Sequence, residues 1–135
     1  AQVHLKSDQM PQRPSFASSI ELLDRNSGGD VDLSTMPLGL ATRCRRAWAV
    51  LLDSPQSAVH GDLNPSNILI TSDGEIAVID WDESRVDALI FDLLNLTPPD
   101  TWPDDFRQAL LAWEIAVCWH VEHDYAQSLA KKLSC

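Results

Sequence analysis

Three polar residues in the segment HGDLNPSNILITSDGEIAVIDWDE, residues 60–83, have side chains that suit a divalent metal and a phosphate. Asp62, Asn67 and Asp80 offer carboxylate and amide oxygens, which are the ligands that hard cations such as Mg²⁺ prefer. An apolar ladder separates Asn67 from Asp80. These oxygens can form one site only if the intervening chain folds back on itself.

The residues between Asn67 and Asp80 predict such a fold. Two β-branched runs, 68–71 and 76–79, flank Ser-Asp-Gly-Glu, and Asp-Gly between runs of this kind is a strong hairpin signal. A two-residue turn at Asp73-Gly74 places Asn67 directly opposite Asp80, at the open end of the hairpin. Asp62 lies in the loop that feeds the same strand end. The alternative is that these residues are loop polars making local hydrogen bonds.

The segment also resembles a known family. HGDLNPSNIL followed by IDWDE is similar to the catalytic segment of the aminoglycoside phosphotransferase and choline kinase-like family. The general pattern is H-x-D, then an Asn five residues on, then a metal-binding Asp. Gly61 stands where protein kinases usually carry Arg, and no A-P-E motif follows Asp80. These two departures favour the small-molecule branch over protein kinases.

The resemblance implies a role for each matching residue. Asp62 would be the catalytic base, and Asn67 and Asp80 would hold Mg²⁺ on the phosphates of ATP, with GTP not distinguished. His60 and Asp92 would give structural support to the site. Asp82 and Glu83 could contact the acceptor, and the alternative is that they are solvated loop acids. The implied partners are a nucleotide and a small-molecule acceptor.

The elements around this segment predict an α+β fold in a single domain, residues 1–135. The resemblance implies that this domain is a protein-kinase-like C-terminal lobe, mainly helical, with a small β-hairpin that carries the site. Helix starts are predicted at Ser15, Ser34-Thr35, Ser84 and, through a capping box, Thr101-Asp104. The second helix would carry an apolar stripe of Leu40, Cys44, Ala47, Trp48 and Leu51, and the third a stripe of Val86, Leu89, Ile90, Leu93 and Leu96. The last helix is expected to break near His123. The predicted parts are an extended lead-in (1–14), a helical part (15–58), the catalytic loop and hairpin (59–84) and C-terminal helices (85–135).

The charge distribution is compatible with a cationic ligand or a metal–nucleotide complex, and a merely soluble acidic surface is the plainer interpretation of the charge alone. Residues 62–135 contain fourteen acidic and four basic residues, and so carry the whole net charge of −10. Nucleic acid is excluded as a partner because it requires the opposite sign. No apolar run reaches the length of about 18–20 residues that spans a membrane. Three cysteines without a CxxC pair, Cys44, Cys118 and Cys135, are typical of free thiols in a reducing compartment, which predicts a cytoplasmic location.

The N-terminal lobe of the family is expected to be absent. The residues before His60 are too few for it, and Gly28-Gly29 is interpreted as the end of a helix rather than a phosphate-covering loop. The chain would then be a fragment that is incompetent alone, exposing a face that self-associates or meets the missing lobe. An alternative is a non-catalytic remnant that binds a cationic molecule or a protein. Two weaker readings are a metallophosphoesterase and a zinc site from His120 and His123 with Cys118 or Asp124.

Overall fold

The structure, a computed structural model, describes residues 10–134. The predicted lead-in therefore lies outside the described residues over positions 1–9, as does Cys135. Residues 10–14 belong to no helix or strand. The described chain combines helices with small antiparallel sheets, so the α+β class is confirmed.

Four α-helices lie within residues 10–134, and most of the remaining residues are in short strands, turns and loops. The helices are α1 (Leu38–Ala49), α2 (Ile90–Leu93), α3 (Asp104–Cys118) and α4 (His123–Ala130). Short 3₁₀ helices connect them at Glu21–Leu23, Leu33–Thr35, Pro65–Asn67, Leu94–Leu96 and Pro99–Thr101. No helix in the described range is both long and apolar enough to cross a membrane.

Six short strands pair into three antiparallel ribbons within the same range. The strands are β1 (Ser27–Gly28), β2 (Val31–Asp32), β3 (Gln56–Val59), β4 (Ile68–Ile70), β5 (Ile76–Val78) and β6 (Arg85–Ala88). The pairs are β1 with β2, β3 with β6, and β4 with β5. Strands β3 and β6 are distant in sequence, and the whole segment 60–84 connects them.

The core lies between α1, α3 and α4. The predicted apolar stripe of α1 is confirmed, since Leu40, Cys44 and Trp48 are buried. Trp48 packs on Trp113 of α3 with ring centroids 5.8 Å apart, and its indole N–H donates to the Ala109 carbonyl at 3.2 Å. Such tilted aromatic pairs add to the free energy gained from burial. This core fixes α3 as a wall behind the polar segment.

The helix predicted from Ser15 is wrong. Ser15 has φ +68°, a left-handed conformation that an α-helix does not use. The reciprocal cap lies three residues later: the Glu21 N–H donates to Ser18 Oγ at 3.1 Å, and the Ser18 N–H donates to Glu21 Oε2 at 2.7 Å. This capping box starts only the 3₁₀ turn Glu21–Leu23.

The interpretation of Gly28-Gly29 as a helix end is also wrong. Ser27 pairs with Asp32 and Gly28 with Val31, so Gly29 and Asp30 form the tip of a tight hairpin. Gly29 has φ +56°, which a hairpin turn requires and glycine adopts without steric cost. The predicted helical part, 15–58, therefore contains one ribbon and begins another.

The helix predicted from Ser84 is wrong as well, because the residues after it form strand β6. Arg85 and Asp87 of that strand are buried as an ion pair, with Nε and Oδ2 2.7 Å apart. The apolar residues in this part of the sequence predicted a helix. They gave no indication that a buried ion pair stabilises a strand here. Only the short helix α2 follows.

The capping box predicted at Thr101 is absent. The Thr101 hydroxyl donates to the Pro98 carbonyl at 2.7 Å, and Pro103 precedes the first residue of α3. The predicted break before His123 is confirmed, since α3 ends at Cys118 and α4 begins at His123.

Candidate active site

A short loop between β3 and β4 presents Asp62. Its last turn is the 3₁₀ helix Pro65–Asn67, capped by Asn64, whose side-chain oxygen accepts from the Ser66 N–H at 2.9 Å. Pro65 suits the first position of this turn because its φ is already fixed near the helical value. Asn64 also donates to Asp62 Oδ1 at 2.9 Å. The loop sequence therefore builds its own support for the Asp62 carboxylate.

Asp62 and Asn67 are in direct contact. Asn67 Nδ2 donates to the Asp62 carbonyl at 2.9 Å and to Asp62 Oδ2 at 3.2 Å. Asn67 is buried, whereas Asp62 is exposed. The amide thus acts as a rigid support on one side of the carboxylate and leaves its other side open.

His60 connects this loop with the strand that leads to Asp80. Its Nδ1 accepts from the Asp62 N–H at 3.2 Å. The proton must therefore be on Nε2, which donates to the Ile79 carbonyl at 2.8 Å. The ring also packs against Trp81, with centroids 4.7 Å apart. One side chain thereby holds both chain segments that carry candidate ligands.

Asp92 lies beneath the same loop. Its buried carboxylate accepts from the backbone N–H of His60 at 2.8 Å and from that of Gly61 at 3.0 Å. Charge-assisted bonds of this kind are about twice as strong as neutral ones. The turn between these two residues and Asp62 is possible because Gly61 adopts φ +88°.

The register predicted for the β4–β5 hairpin is wrong by one residue. Ile68 pairs with Val78 and Ile70 with Ile76, so the loop contains three residues, 72–74, and Gly74 adopts φ +79°. A three-residue loop with a left-handed glycine is a common alternative to the two-residue turn. Asn67 consequently lies opposite Ile79, whose N–H donates to the Asn67 carbonyl at 2.9 Å.

Asp80 follows this rung by one residue and breaks the strand. Its φ of +60° is left-handed, which Asp tolerates better than most residues. Its side chain is exposed. Asp80 is therefore adjacent to the Asn67–Ile79 pair and does not belong to it. The turn at Asp80 changes the direction of the chain before residues 81–84.

The two acids after Asp80 have different surroundings. Glu83 lies on the wall of a cavity of about 1210 Å³, together with Asp62 and Asp30. Burial raises the pKa of Glu83, and a hydrogen bond with the Asp30 carboxyl group raises this pKa further. Asp82 is exposed and is not among the residues that line the cavity.

Acidic residues predominate on the cavity wall. They are Asp30, Asp62, Glu83, Asp104, Glu114 and Glu122, against the basic residues Arg107 and Lys132. Sequence reasoning missed Asp30 because the preceding glycines were interpreted as a helix end. A Gly-Asp pair between two short extended runs is a hairpin signal that could have revealed it.

A buried arginine supports this wall from behind. Arg85 is 2% exposed, and its Nη1 donates to the Glu83 carbonyl at 3.2 Å. Its guanidinium lies 3.6 Å from the ring centroid of Trp113, which lines the cavity. The ion pair with Asp87 is anchored in turn by Ser19, whose hydroxyl donates to Asp87 Oδ1 at 2.7 Å. No sequence pattern indicated this network.

The zinc alternative has no support from the geometry. His120 Nε2 is hydrogen-bonded to the Thr35 hydroxyl at 2.7 Å. His123 Nδ1 is hydrogen-bonded to the Trp119 carbonyl at 3.0 Å and its ring packs on that indole. Among residues 10–134, no group of three or more His, Cys, Asp and Glu side chains is placed to hold a metal ion.

A loop that presents Asp62 against Asn67, followed by a hairpin and a second aspartate, is an arrangement typical of kinase-like phosphoryl-transfer enzymes. A family model bears out this class: the model described as "Phosphotransferase enzyme family" matches residues 8–125. The chain therefore belongs to the phosphotransferase enzyme family, which agrees with its resemblance to the aminoglycoside phosphotransferases and choline kinases. Searches of curated proteins and of solved structures found no match.

Proposed function

We propose that the chain is the catalytic, C-terminal lobe of an ATP-dependent phosphotransferase that acts on a hydroxyl group of a small cationic molecule. One observation carries the proposal. The Asp62 carboxylate, supported by Asn67, is exposed on the wall of a cavity rich in acidic residues. A general base and an acceptor pocket thus share one surface, as transfer to a bound hydroxyl requires.

Asp62 is the proposed catalytic base. It would accept or orient the proton of the acceptor hydroxyl as that oxygen attacks the phosphoryl group. His60 and Asp92 hold the backbone on either side of Gly61. These contacts support a purely structural role for both residues, because they fix the position from which Asp62 acts.

Asn67 and Asp80 are the proposed Mg²⁺ ligands. The Asn67 amide nitrogen already donates to Asp62, so its oxygen is the atom suited to a cation. Two protein oxygens are sufficient, because Mg²⁺ bound with a nucleotide takes its other ligands from phosphates and water. The chemistry of this donor pair fits the ion. Bound Mg²⁺ would neutralise charge on the transferred phosphoryl group.

The acceptor is proposed to be cationic because of the acids that line the cavity. Glu83 and Asp30 are the favoured contacts, since they lie on the same wall as Asp62. Asp82, outside the cavity, has less support as a substrate residue. Deprotonation of Glu83 would strengthen binding of an amine, so acceptor affinity should rise as the pH rises above the ordinary carboxyl range.

The hairpin offers two apolar faces for the nucleotide base and for further polypeptide. Leu69 and Ile79 share one face with Asn67, which places apolar surface beside the proposed metal. On the opposite face Ile70 is 77% exposed and Ile76 is 72% exposed. We infer that this second face meets an N-terminal lobe or another copy of the chain. Sedimentation velocity tests it: a monomer at every concentration would refute self-association.

The experiment that tests the function is calorimetric titration of the chain with MgATP and, separately, MgGTP. Asp80→Ala should abolish metal-dependent binding. Asp73→Ala, which removes the same charge from the exposed turn of the same hairpin, should leave it unchanged. Cationic acceptors such as amino sugars, choline and spermidine are then titrated into the wild-type chain.

The outcomes separate the candidate functions. Nucleotide binding that is lost only with Asp80 would support the catalytic lobe. Binding of a cation without any binding of nucleotide would instead support a non-catalytic protein that uses the acidic cavity alone. If a folded chain binds neither ligand, the proposed function of this chain is wrong.

A further inference from the structure

A segment near the start of the described chain crosses the loop that follows Asp80. The carboxamide of Gln12 pairs with the backbone of Val86 as a neighbouring strand would. Its Oε1 accepts from the Val86 N–H at 2.9 Å and its Nε2 donates to the Val86 carbonyl at 2.8 Å. Gln12 thereby completes the edge of β6 directly after the loop 80–84.

Arg13 holds the loop itself. Its Nη1 donates to the carbonyl of Asp82 at 2.8 Å and to that of Ser84 at 3.2 Å. The guanidinium lies 4.0 Å from the ring centroid of Phe16. Phe16 is fixed in turn against Gly29, since a Cβ built on that glycine would come within 2.9 Å of the ring. Arg13 therefore connects the β1–β2 hairpin with the loop.

The loop needs external support because it begins with a left-handed residue. Asp80 has φ +60°, a conformation that persists in a non-glycine residue only when neighbouring contacts enforce it. On its N-terminal side His60 holds the Ile79 carbonyl. On its C-terminal side, Arg13 donates to the backbone carbonyls of Asp82 and Ser84, and Gln12 pairs with the backbone of Val86 directly after the loop. The Glu83 side chain is also hydrogen-bonded with Asp30.

We propose that Gln12 and Arg13 are positioning residues that hold the loop 80–84 so that Asp80 faces the metal. The inference rests on the proposed function, in which Asp80 binds Mg²⁺. Neither residue touches the reacting groups. Their effect reaches the metal only through the backbone of the loop.

The sign of the effect distinguishes positioning from simple electrostatics. Arg13 is a positive charge close to the acidic segment 80–83, so its removal should strengthen the attraction of a cation if charge alone mattered. If Arg13 positions Asp80, its removal should weaken cation binding. A divalent cation without nucleotide is therefore the informative probe.

The test is titration with Mn²⁺ followed by electron paramagnetic resonance, for wild type, Gln12→Ala, Arg13→Ala and the double variant. We expect binding to weaken about fivefold in each single variant, as the loss of about one net hydrogen bond implies. Arg25→Ala is the matched control, because Arg25 is an exposed arginine whose side chain is paired with Glu21 at 3.7 Å. It should bind Mn²⁺ as wild type does.

A second readout follows the loop without any metal. Amide hydrogen exchange of residues 80–84 should accelerate in the Gln12 and Arg13 variants and not in the Arg25 control. Unchanged or tighter Mn²⁺ binding together with unchanged exchange would overturn the inference. If the wild-type chain binds Mn²⁺ only in the presence of ATP, the same variants are compared with ATP present. Failure of the wild-type chain to bind Mn²⁺ both alone and with ATP would instead overturn the proposed metal site, which distinguishes the two failures.

Discussion

Replacement of Gly61 by alanine should destabilise the protein more than the same replacement at Gly74 or Gly39. Gly61 has φ +88°, and a Cβ at this position would lie 2.6 Å from the Glu83 carbonyl oxygen and 2.8 Å from Arg85 Nη1. Neither neighbour can withdraw easily. The first is backbone, and the second belongs to a guanidinium that is fixed between Asp87 and Trp113.

The magnitude can be worked out from two other glycines. Gly74 has φ +79° with nothing near its Cβ position, so Gly74→Ala should cost only the left-handed strain, about 1–2 kcal/mol. Gly39 lies in α1 with free space around it, so Gly39→Ala should stabilise by about 0.5 kcal/mol. Gly61→Ala adds overpacking to the strain, for a total loss of about 2–5 kcal/mol.

Urea denaturation of the three variants and wild type measures these differences. The predicted order of stability is Gly39→Ala, wild type, Gly74→Ala and then Gly61→Ala. If Gly61→Ala costs no more than Gly74→Ala, Gly61 does not approach Glu83 and Arg85 closely. The loop that presents Asp62 would then not be packed against the loop after Asp80.

Two further predictions concern buried groups outside the reaction. Asp92→Asn should lower the free energy of unfolding by about 2–4 kcal/mol, because one of the two backbone N–H groups that donate to Asp92 would face an amide donor instead. Urea denaturation measures this loss against an Asp100→Asn control. Equal losses in the two variants would refute the role of Asp92. Burial raises the pKa of the Cys44 thiol from 9.0 to about 12, so the unfolded state releases this proton first and stability should fall as the pH rises above about 9, by up to about 1.4 kcal/mol per pH unit. In Cys44→Ala, measured under reducing conditions, this slope should become shallower, and an unchanged slope would contradict the assignment.

The sequence predicted those features of the molecule that depend on neighbouring residues. The stripe Leu40, Cys44 and Trp48 indicated α1, and the runs around Asp73-Gly74 indicated the hairpin. The error in register had a local cause too. A two-residue and a three-residue loop fit the same letters, and both can place Gly74 in a left-handed conformation. The difference lies at Asp73, which does not have the positive φ that a two-residue type I′ turn requires.

Features made by distant residues escaped prediction. Strand β6 carries polar side chains into the interior, and these are stable only because Ser19 and Trp113 come from elsewhere in the chain. The Gly-Asp pair could have indicated the hairpin that carries Asp30, but the position of Asp30 on the cavity wall depends on contacts with distant residues such as Glu83. Neither feature produces a periodic pattern of apolar and polar residues in the sequence.

The predicted convergence of the site residues relied on the open end of the β4–β5 hairpin, where Asn67 would oppose Asp80. Asp62 and Glu83 lie on one cavity wall for a different reason. In the structure, the contact that brings their two segments together is the pairing of β3 with β6, the strands on either side of the segment 60–84. Val59 pairs with Arg85, so the residues that follow Val59 and those that precede Arg85 leave the ribbon side by side.

This ribbon explains why Asp62 and Glu83 line one cavity although the whole hairpin separates them in sequence. Continued by two residues beyond the last pair, the ladder brings Gly61 against the backbone of Glu83, which is where a Cβ would collide. Asp92 fixes the segment that follows β3 by accepting hydrogen bonds from the His60 and Gly61 N–H groups. Gln12 fixes β6 by accepting from the Val86 N–H. A change in the register of the hairpin would consequently leave Asp62, the proposed base, on the cavity wall. The proposed metal ligand Asp80 lies further along the chain, within the loop that contacts Arg13, and depends on separate supports. The proposed catalytic base and the proposed metal ligand should therefore respond to different sets of substitutions: Asp62 to Asp92 and Gly61, and Asp80 to Gln12 and Arg13.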